Sequence, residues 1–376
     1  MTQNQINQKI TCLQIIPFLG TGGIERGVLD TFRYLHGINI KNYIFCENYN
    51  SELLKDHELK FVFKTNNKKF KNIFNQNSIK KQLNEIISNC QINLIHISSR
   101  APAFFLHKFI KNLSITYVTS FHNPYRHQNF IKKYYNSFLL KGDKVIANSF
   151  FTKDHILKYY NSNKEIIVIQ RGVDLSYFDP KLIEPKTPNE LKLTLNIGPN
   201  DKIFILPSRL TSWKGHQLFL KNLSNLKLND DYPFKIIFFS NDKNLINILK
   251  KSATDLGLKN NLIILNETSD IRIYYSLCDL VISSSTKSEG FGRTVSEALA
   301  MSKLLIAPNQ GGTKEQLEAF DKNLLYDISS LQSFKKALMY ALSNLENDKN
   351  KRRDYIISNF SLDSMIRKTI EVYGIK

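Results

Sequence analysis

The chain has 376 residues, too many for one ordinary core and the right number for two domains. It is 42% hydrophobic and 23% charged, the make-up of a soluble globular protein, and no run approaches the ~18 apolar residues of a membrane-spanning helix. Lys and Arg exceed Asp and Glu by 52 to 33, a net charge of +19, and residues 59–142 alone hold 14 Lys or Arg against one acid, Glu85.

That stretch carries +13, against +6 for the rest. A field so concentrated suits anionic lipid, nucleic acid or an anionic substrate, with a plain solvated face as the alternative. The start, MTQNQINQKI, lacks the basic-then-apolar pattern of a signal peptide, so the expected location is the cytoplasm. Cys12, Cys46, Cys90 and Cys278 have no paired spacing and read as buried thiols.

In chain order, KITCLQIIPF (9–18) reads as a buried strand. GTGG (20–23) follows, and then Ile24, Val28, Leu29, Phe32 and Leu35 fall at helical spacing. Strands are expected at 93–98, 115–121, 143–149 and 165–170, with helices at 78–89, 102–112, 126–140 and 149–160. Residues 181–200 carry Pro185, Pro188 and Pro199 and read as a domain boundary. A second alternating run follows. Its strands are expected at 202–207, 235–240, 261–265, 279–285, 303–308 and 323–327, and its helices near 214–226, 243–256, 269–277, 293–301 and 313–319. The fold class is α/β, two Rossmann-like doubly wound domains whose ligands sit at the carboxyl ends of the strands. The expected domains are 1–183 and 184–360, with a last helix at 361–376 packing back on the first.

Several motifs lie at those strand ends. RLTSWKG (209–215) brings Arg209 and Lys214 there, a guanidinium and an ammonium suited to a diphosphate. Two surface cations are the plainer alternative, and Trp213 reads as core packing. GTGG lets backbone approach a ligand, although alone it is only a strand–helix turn. TSFHNPYR (119–126) places His122 just past a strand, where it is either structural or bonded to a sugar hydroxyl. SEGFGRTVSEALAM (288–301) sets Glu289 in a glycine loop and Glu297 in the first turn of a helix. Carboxylates accept hydrogen bonds and sugar hydroxyls donate them, so two carboxylates around backbone donors suit a nucleotide sugar. QGG (310–312) adds a further glycine loop.

Taken together, these marks resemble family 4 of the glycosyltransferases, whose two-domain fold, with a central cleft, is called GT-B. The E-x7-E element from Glu289 to Glu297 is the most specific of them. GTGGIER, SFHNPYR, VIANS, RGVDLSYFDP, RLTSWKG and QGG support it. RAPA (100–103), RGVDLSYFDP and RLTSWKG also resemble a bacterial branch that assembles lipopolysaccharide or other surface glycans.

The resemblance implies a retaining, hexosyltransferase-type enzyme acting on a nucleotide-sugar donor and a glycan or lipid-linked acceptor. It implies that Gly22 and Gly23 approach the diphosphate or the acceptor from the N-terminal domain, that Arg209 and Lys214 neutralise the diphosphate, and that His122 lies near the transferred sugar. Glu289 would contact the sugar hydroxyls beside the backbone of Phe291 and Gly292. Glu297 would hold the ribose, and Arg293 and Thr294 belong to the same donor-binding stretch. The base would sit near Asn266 to Ser269. No carboxylate nucleophile is apparent, so front-face transfer is expected. There is no D-x-D, and no metal or other cofactor is expected.

Residues 60–141 interleave apolar side chains with lysine, among them Phe70, Ile73, Phe74 and Ile79. They suit an anionic membrane surface, here the cytoplasmic face of an inner membrane, and no nucleic acid is expected. The competing readings are a non-catalytic basic protein that binds membrane or nucleic acid, and an epimerase or phosphorylase of the same two-domain shape.

Overall fold

A computed structural model of the protein describes residues 10–375 apart from 21, 67, 126–128, 185, 229–231 and 269. Thr21 of GTGG, Arg126 of TSFHNPYR, Pro185, Ser269 and the first nine residues therefore lie outside the described residues. The chain forms two compact units, one running to Arg171 and resuming at Asp363, the other spanning Gly172–Leu362.

The first unit is built on strands β1 (Cys12–Ile15), β3 (Asn42–Cys46), β5 (Val62–Lys64), β6 (Leu94–Ile97), β7 (Thr116–Phe121), β8 (Lys144–Ala147) and β9 (Ile166–Val168). They form one parallel sheet in the order β5-β3-β1-β6-β7-β8-β9. A short parallel pair, β2 (Phe18–Leu19) and β4 (Asn48–Tyr49), stands beside it. The strand order reverses between β1 and β6, which makes their carboxyl ends the switch point where such sheets bind ligands.

The second unit repeats the plan with β10 (Lys202–Ile205), β11 (Phe234–Phe239), β12 (Leu262–Leu265), β13 (Leu280–Ile282), β14 (Leu304–Pro308) and β15 (Leu325–Tyr326). Their order is β12-β11-β10-β13-β14-β15, all parallel, with the reversal between β10 and β13. Both sheets are covered by helices. Their strands are accordingly near-continuous apolar runs, Ile203, Phe204 and Ile205 for example being at most 1% exposed.

The division between the units falls at Arg171, ahead of the expected 183/184. Val173 and Phe178 are buried in the second unit's core, and the Arg353 guanidinium grips this segment through the carbonyls of Phe178 and Leu175 and the Asp179 carboxylate. The proline-bearing stretch read as the boundary lies within the second unit. It contains a helix, Lys186–Thr194, with Pro188 in the first turn, where a missing N–H breaks no intrahelical bond. The last helix, Leu362–Tyr373, contributes to the first unit. Tyr373 Oη lies 2.6 Å from His96 Nδ1, and Lys144 Nζ donates to the Val372 carbonyl at 2.6 Å.

Strands β3, β4 and β5 and the short helix Asp56–Leu59 were not anticipated in the first unit, nor, besides Lys186–Thr194, the helices Leu331–Ser343 and Lys349–Asn359 in the second. The basic stretch is less uniformly exposed than its spacing suggested. Phe70 and Ile79 are fully buried, while Ile73 and Phe74 are 73% and 95% exposed. Gln76–Cys90 is a helix that turns Ile79, Leu83 and Ile86 inward, whereas Ile73 and Phe74 ride a single 3-10 turn with no core face. Phe130, Ile131 and Tyr134 are exposed beside Lys132, and Phe138 and Leu139 are buried. Cys12, Cys46 and Cys278 are buried free thiols, and Cys90 is half-buried. Among the described residues, no helix is long and apolar enough to cross a membrane.

Candidate active site

The two loops flanking the β10/β13 switch point meet. Ser284 Oγ donates to the carbonyls of Lys214 and Gly215 at 3.1 and 2.9 Å, and Thr286 N donates to the Trp213 carbonyl at 2.7 Å. This seam carries Lys214 to Glu289, with Nζ 2.7 Å from Oε1 and the side chains only 16% and 15% exposed. Ser285 Oγ donates to the same carboxylate oxygen. Lys214 Nζ also sits 4.6 Å from the centre of the Trp213 ring, which is half-buried and outside the core expected for it. Arg209, after β10, is exposed and forms no ion pair among the described residues.

Glu297 stands in the second turn of the Arg293–Ala300 helix, not the first, because the helix begins at Arg293 after the cap at Gly292. Arg293 bonds Glu297 across one turn at 3.1 Å, and the buried Tyr275 hydroxyl donates to its other oxygen at 3.1 Å. Burial, reinforced by the Glu297 charge, pushes the Tyr275 phenol well above its ordinary value, so it stays a donor. Thr294 follows in the helix's first turn and is half-buried. Phe291 is 3% exposed and packs into the core against Phe360, so it offers a ligand its backbone alone. The glycine loop is backed by the next one. Gly312 N donates to the Glu289 carbonyl at 2.9 Å, and Gln316 Nε2 donates to the Phe291 carbonyl at 2.6 Å.

On the first unit, Gly22 caps the Gly23–Gly37 helix, with Gly22 half-buried and Gly23 exposed. His122 follows β7 and is 7% exposed. Asn148 Nδ2 donates to its carbonyl at 2.8 Å, and Arg171 Nη2 lies 2.8 Å from its Nδ1. Burial, then the Arg171 charge, then His96, hold the His122 imidazole well below its ordinary value. His96 is pushed down to about 3 by burial and Arg171. Asn266, Glu267 and Thr268, near the expected base site, are exposed at the end of β12.

The structure thus brings Lys214 to Glu289 and Arg293 to Glu297 within the second unit, and keeps Gly22, Gly23 and His122 on the first. It adds Ser285, Tyr275 and Arg171 as their direct partners. Arg171 lies in the RGVDLSYFDP motif, a signal present in the sequence without a role. Nothing in the sequence marks Ser285 or Tyr275.

Two family models match the chain: "Glycosyltransferase Family 4" over residues 21–177 and "Glycosyl transferases group 1" over residues 189–359. A glycosyltransferase from Rickettsia africae is 34% identical, with 98% of each chain covered and a TM-score of 0.86. Anabaena Alr3699/HepE, solved in complex with UDP and glucose, shares the fold at 19% identity, covering 97% of this chain and 99% of that one, with a TM-score of 0.80. The alpha-monoglucosyldiacylglycerol synthase of Streptococcus pneumoniae is 27% identical over 238 residues, 59% of this chain and 53% of that protein. The chain spans about half the length of the curated relatives it matches.

Proposed function

The chain belongs to glycosyltransferase family 4, and on that premise we propose that it moves a sugar, with retained configuration, from a nucleoside-diphosphate sugar to a glycan or lipid-linked acceptor. The observation that carries this reading is the Lys214–Glu289 pair at the β10/β13 switch point. It sets a cation for a diphosphate directly beside an acceptor for sugar hydroxyls. Arg209, Lys214 and the helix start at Arg293 would take charge from the departing diphosphate, and Glu297 would hold the ribose. Gly22, Gly23 and His122 would serve the donor from the first unit.

The bond from the anomeric carbon to the diphosphate breaks, the acceptor oxygen bonds to that carbon on the same face, and the acceptor's proton passes to a diphosphate oxygen. The protein's cations take the place of a metal. The test is a thermal-shift panel of UDP-, GDP- and ADP-sugars on wild type and Glu297→Ala, with and without chelator. One donor should raise the wild-type Tm, with or without chelator, and leave the variant unmoved, as binding to the folded state requires. No shift with any nucleotide would sink the transferase reading. A shift abolished by chelator and restored by Mg²⁺ would sink the metal-independent one.

The likeness to a monoglucosyldiacylglycerol synthase supports a lipid acceptor, and the branch-like motifs support surface-glycan or lipopolysaccharide assembly. The chain would then work as a peripheral protein on the cytoplasmic face of the inner membrane. Ile73, Phe74, Phe130 and Ile131 are exposed among lysines, the pattern of side chains that enter an anionic lipid surface. In flotation, wild type should rise with anionic vesicles and stay behind with neutral ones. Phe74→Ser should weaken the partition about tenfold, since burying such a side chain is worth roughly 1.5–3 kcal/mol. Equal binding to both vesicle types, or to neither, would remove the membrane from the account.

A further inference from the structure

Three residues far apart in the chain converge at the carboxyl ends of β7 and β9. A Cβ on Gly27, in the Gly23–Gly37 helix, would overlap the Arg171 guanidinium, so the absence of a side chain there is what gives the guanidinium its seat. From that seat Arg171 Nη2 reaches His122 Nδ1 at 2.8 Å. A guanidinium only donates hydrogen bonds, so Nδ1 must accept and cannot carry the ring proton. The proton is therefore on Nε2. That Nε2 is buried and has no hydrogen-bond partner among the described residues. His122 and Arg171 line a cavity of about 30 Å³ together with Gln14, His96, Ser120 and Asn148, room for one water-sized polar group.

We propose that Arg171, seated by Gly27, is a positioning residue that fixes His122 as the neutral Nε2–H tautomer, so that the imidazole presents a permanent donor to a substrate hydroxyl. A buried donor left without a partner bears an uncompensated desolvation cost, and an arriving hydroxyl oxygen relieves it. Among the cavity-lining residues Arg171 bears the only charge, and His96 is the only other imidazole. His96 is bonded at Nδ1 to the Tyr373 hydroxyl and at Nε2 to Ser120, each at 2.6 Å, which leaves it no free nitrogen to trade protons with His122. Burial and the Arg171 charge both disfavour the imidazolium at His122, in agreement with the geometry. The catalytic consequence rests on the transferase reading; the tautomer does not.

The test is ¹⁵N NMR of the full chain labelled at histidine, with no substrate added. Wild-type His122 should show a pyridine-like Nδ1 and a pyrrole-like Nε2, unchanged from about pH 8 to about pH 5, across the range where an ordinary imidazole titrates. Arg171→Met should give mixed tautomers and a titration within that range, and Arg171→Lys, which still donates, should restore the wild-type pattern. Gly27→Ala keeps the guanidinium but displaces it, and should behave as Arg171→Met; it decides the matter alone if Arg171→Met does not fold. A proton on Nδ1 in wild type, or a folded Arg171→Met or Gly27→Ala protein with the wild-type spectrum, would overturn the proposal. Absence of transfer activity would instead sink the transferase reading and leave the tautomer result standing.

Discussion

Lys214→Ala should lower kcat/KM by roughly 10²–10³-fold, most of it in kcat, measured with whichever donor the thermal-shift panel identifies. Negative charge on the diphosphate grows as the glycosidic bond breaks, so a cation held beside it stabilises the transition state more than the bound donor. In the structure that cation is already in place. Its ammonium is held at 2.7 Å by Glu289, over the Trp213 ring, at a site only about a sixth exposed, where charge is screened less than in water. Donor binding would exchange partners: the diphosphate takes the ammonium, and sugar hydroxyls take the carboxylate that Ser285 continues to orient. A positioned pair of this kind needs little reorganisation when the donor arrives. Lys214→Arg should recover part of the loss, since it keeps the charge but changes its reach. An alanine variant within threefold of wild type would mean that the ammonium serves Glu289 alone and that the diphosphate is met elsewhere.

Much of this site is legible in the sequence because its parts are local. RLTSWKG and SEGFGR each follow an apolar run of strand length, and glycine marks the turn into each helix. Strand ends, cations and carboxylates can therefore be placed without knowing the contacts. What could not be read is long-range pairing. Lys214 and Glu289 are 75 residues apart, and the hydrogen bond between them is set by β10 and β13 being neighbours in a sheet whose order is not the chain order. Tyr275 reaches Glu297, and Arg171 reaches His122, for the same kind of reason.

Periodicity failed where an element was too short to show a period. The edge strand β5 has three residues, and the 3-10 turn at Ile73 has no repeat to separate an inward face from an outward one. Phe70 and Phe74 are both aromatics of the same lysine-rich stretch, four residues apart. The structure distinguishes them through contacts outside the stretch: the Phe70 N–H donates to the Glu47 carboxylate at 2.7 Å and its ring packs edge-on to Phe45, while Phe74 is left in the open. The prolines of 181–200 misled for a different reason. Proline forbids a helix interior but not a first turn, and Pro188 occupies a first turn.

The glycine pair of QGG is the second place where a single atom should have a large effect. Gly312→Ala is expected to destabilise the second unit by about 3 kcal/mol, at the upper end of the cost of overpacking. A Cβ at Gly312 would overlap the Cα and carbonyl oxygen of Phe291 and the carbonyl oxygen of Gly290, all of them backbone. Unlike the end of a flexible side chain, these atoms move only if the loop moves. That loop is the one holding Glu289, tied across by the Gly312 N–H to the Glu289 carbonyl and by Gln316 to the carbonyls of Phe291 and Gly292. The same methyl should therefore lower stability and displace the carboxylate from Lys214, and transfer activity should fall with it. For a unit of this size, 3 kcal/mol corresponds to a Tm lowered by roughly 6–12 °C. Gly37→Ala supplies the comparison, because a Cβ there meets nothing within 4 Å, and its Tm should stay within a degree or two of wild type. If Gly312→Ala melts with Gly37→Ala and retains transfer activity, the two loops are not pressed together as described, and the rigid placing of Glu289 opposite Lys214 must come from the β10 side alone.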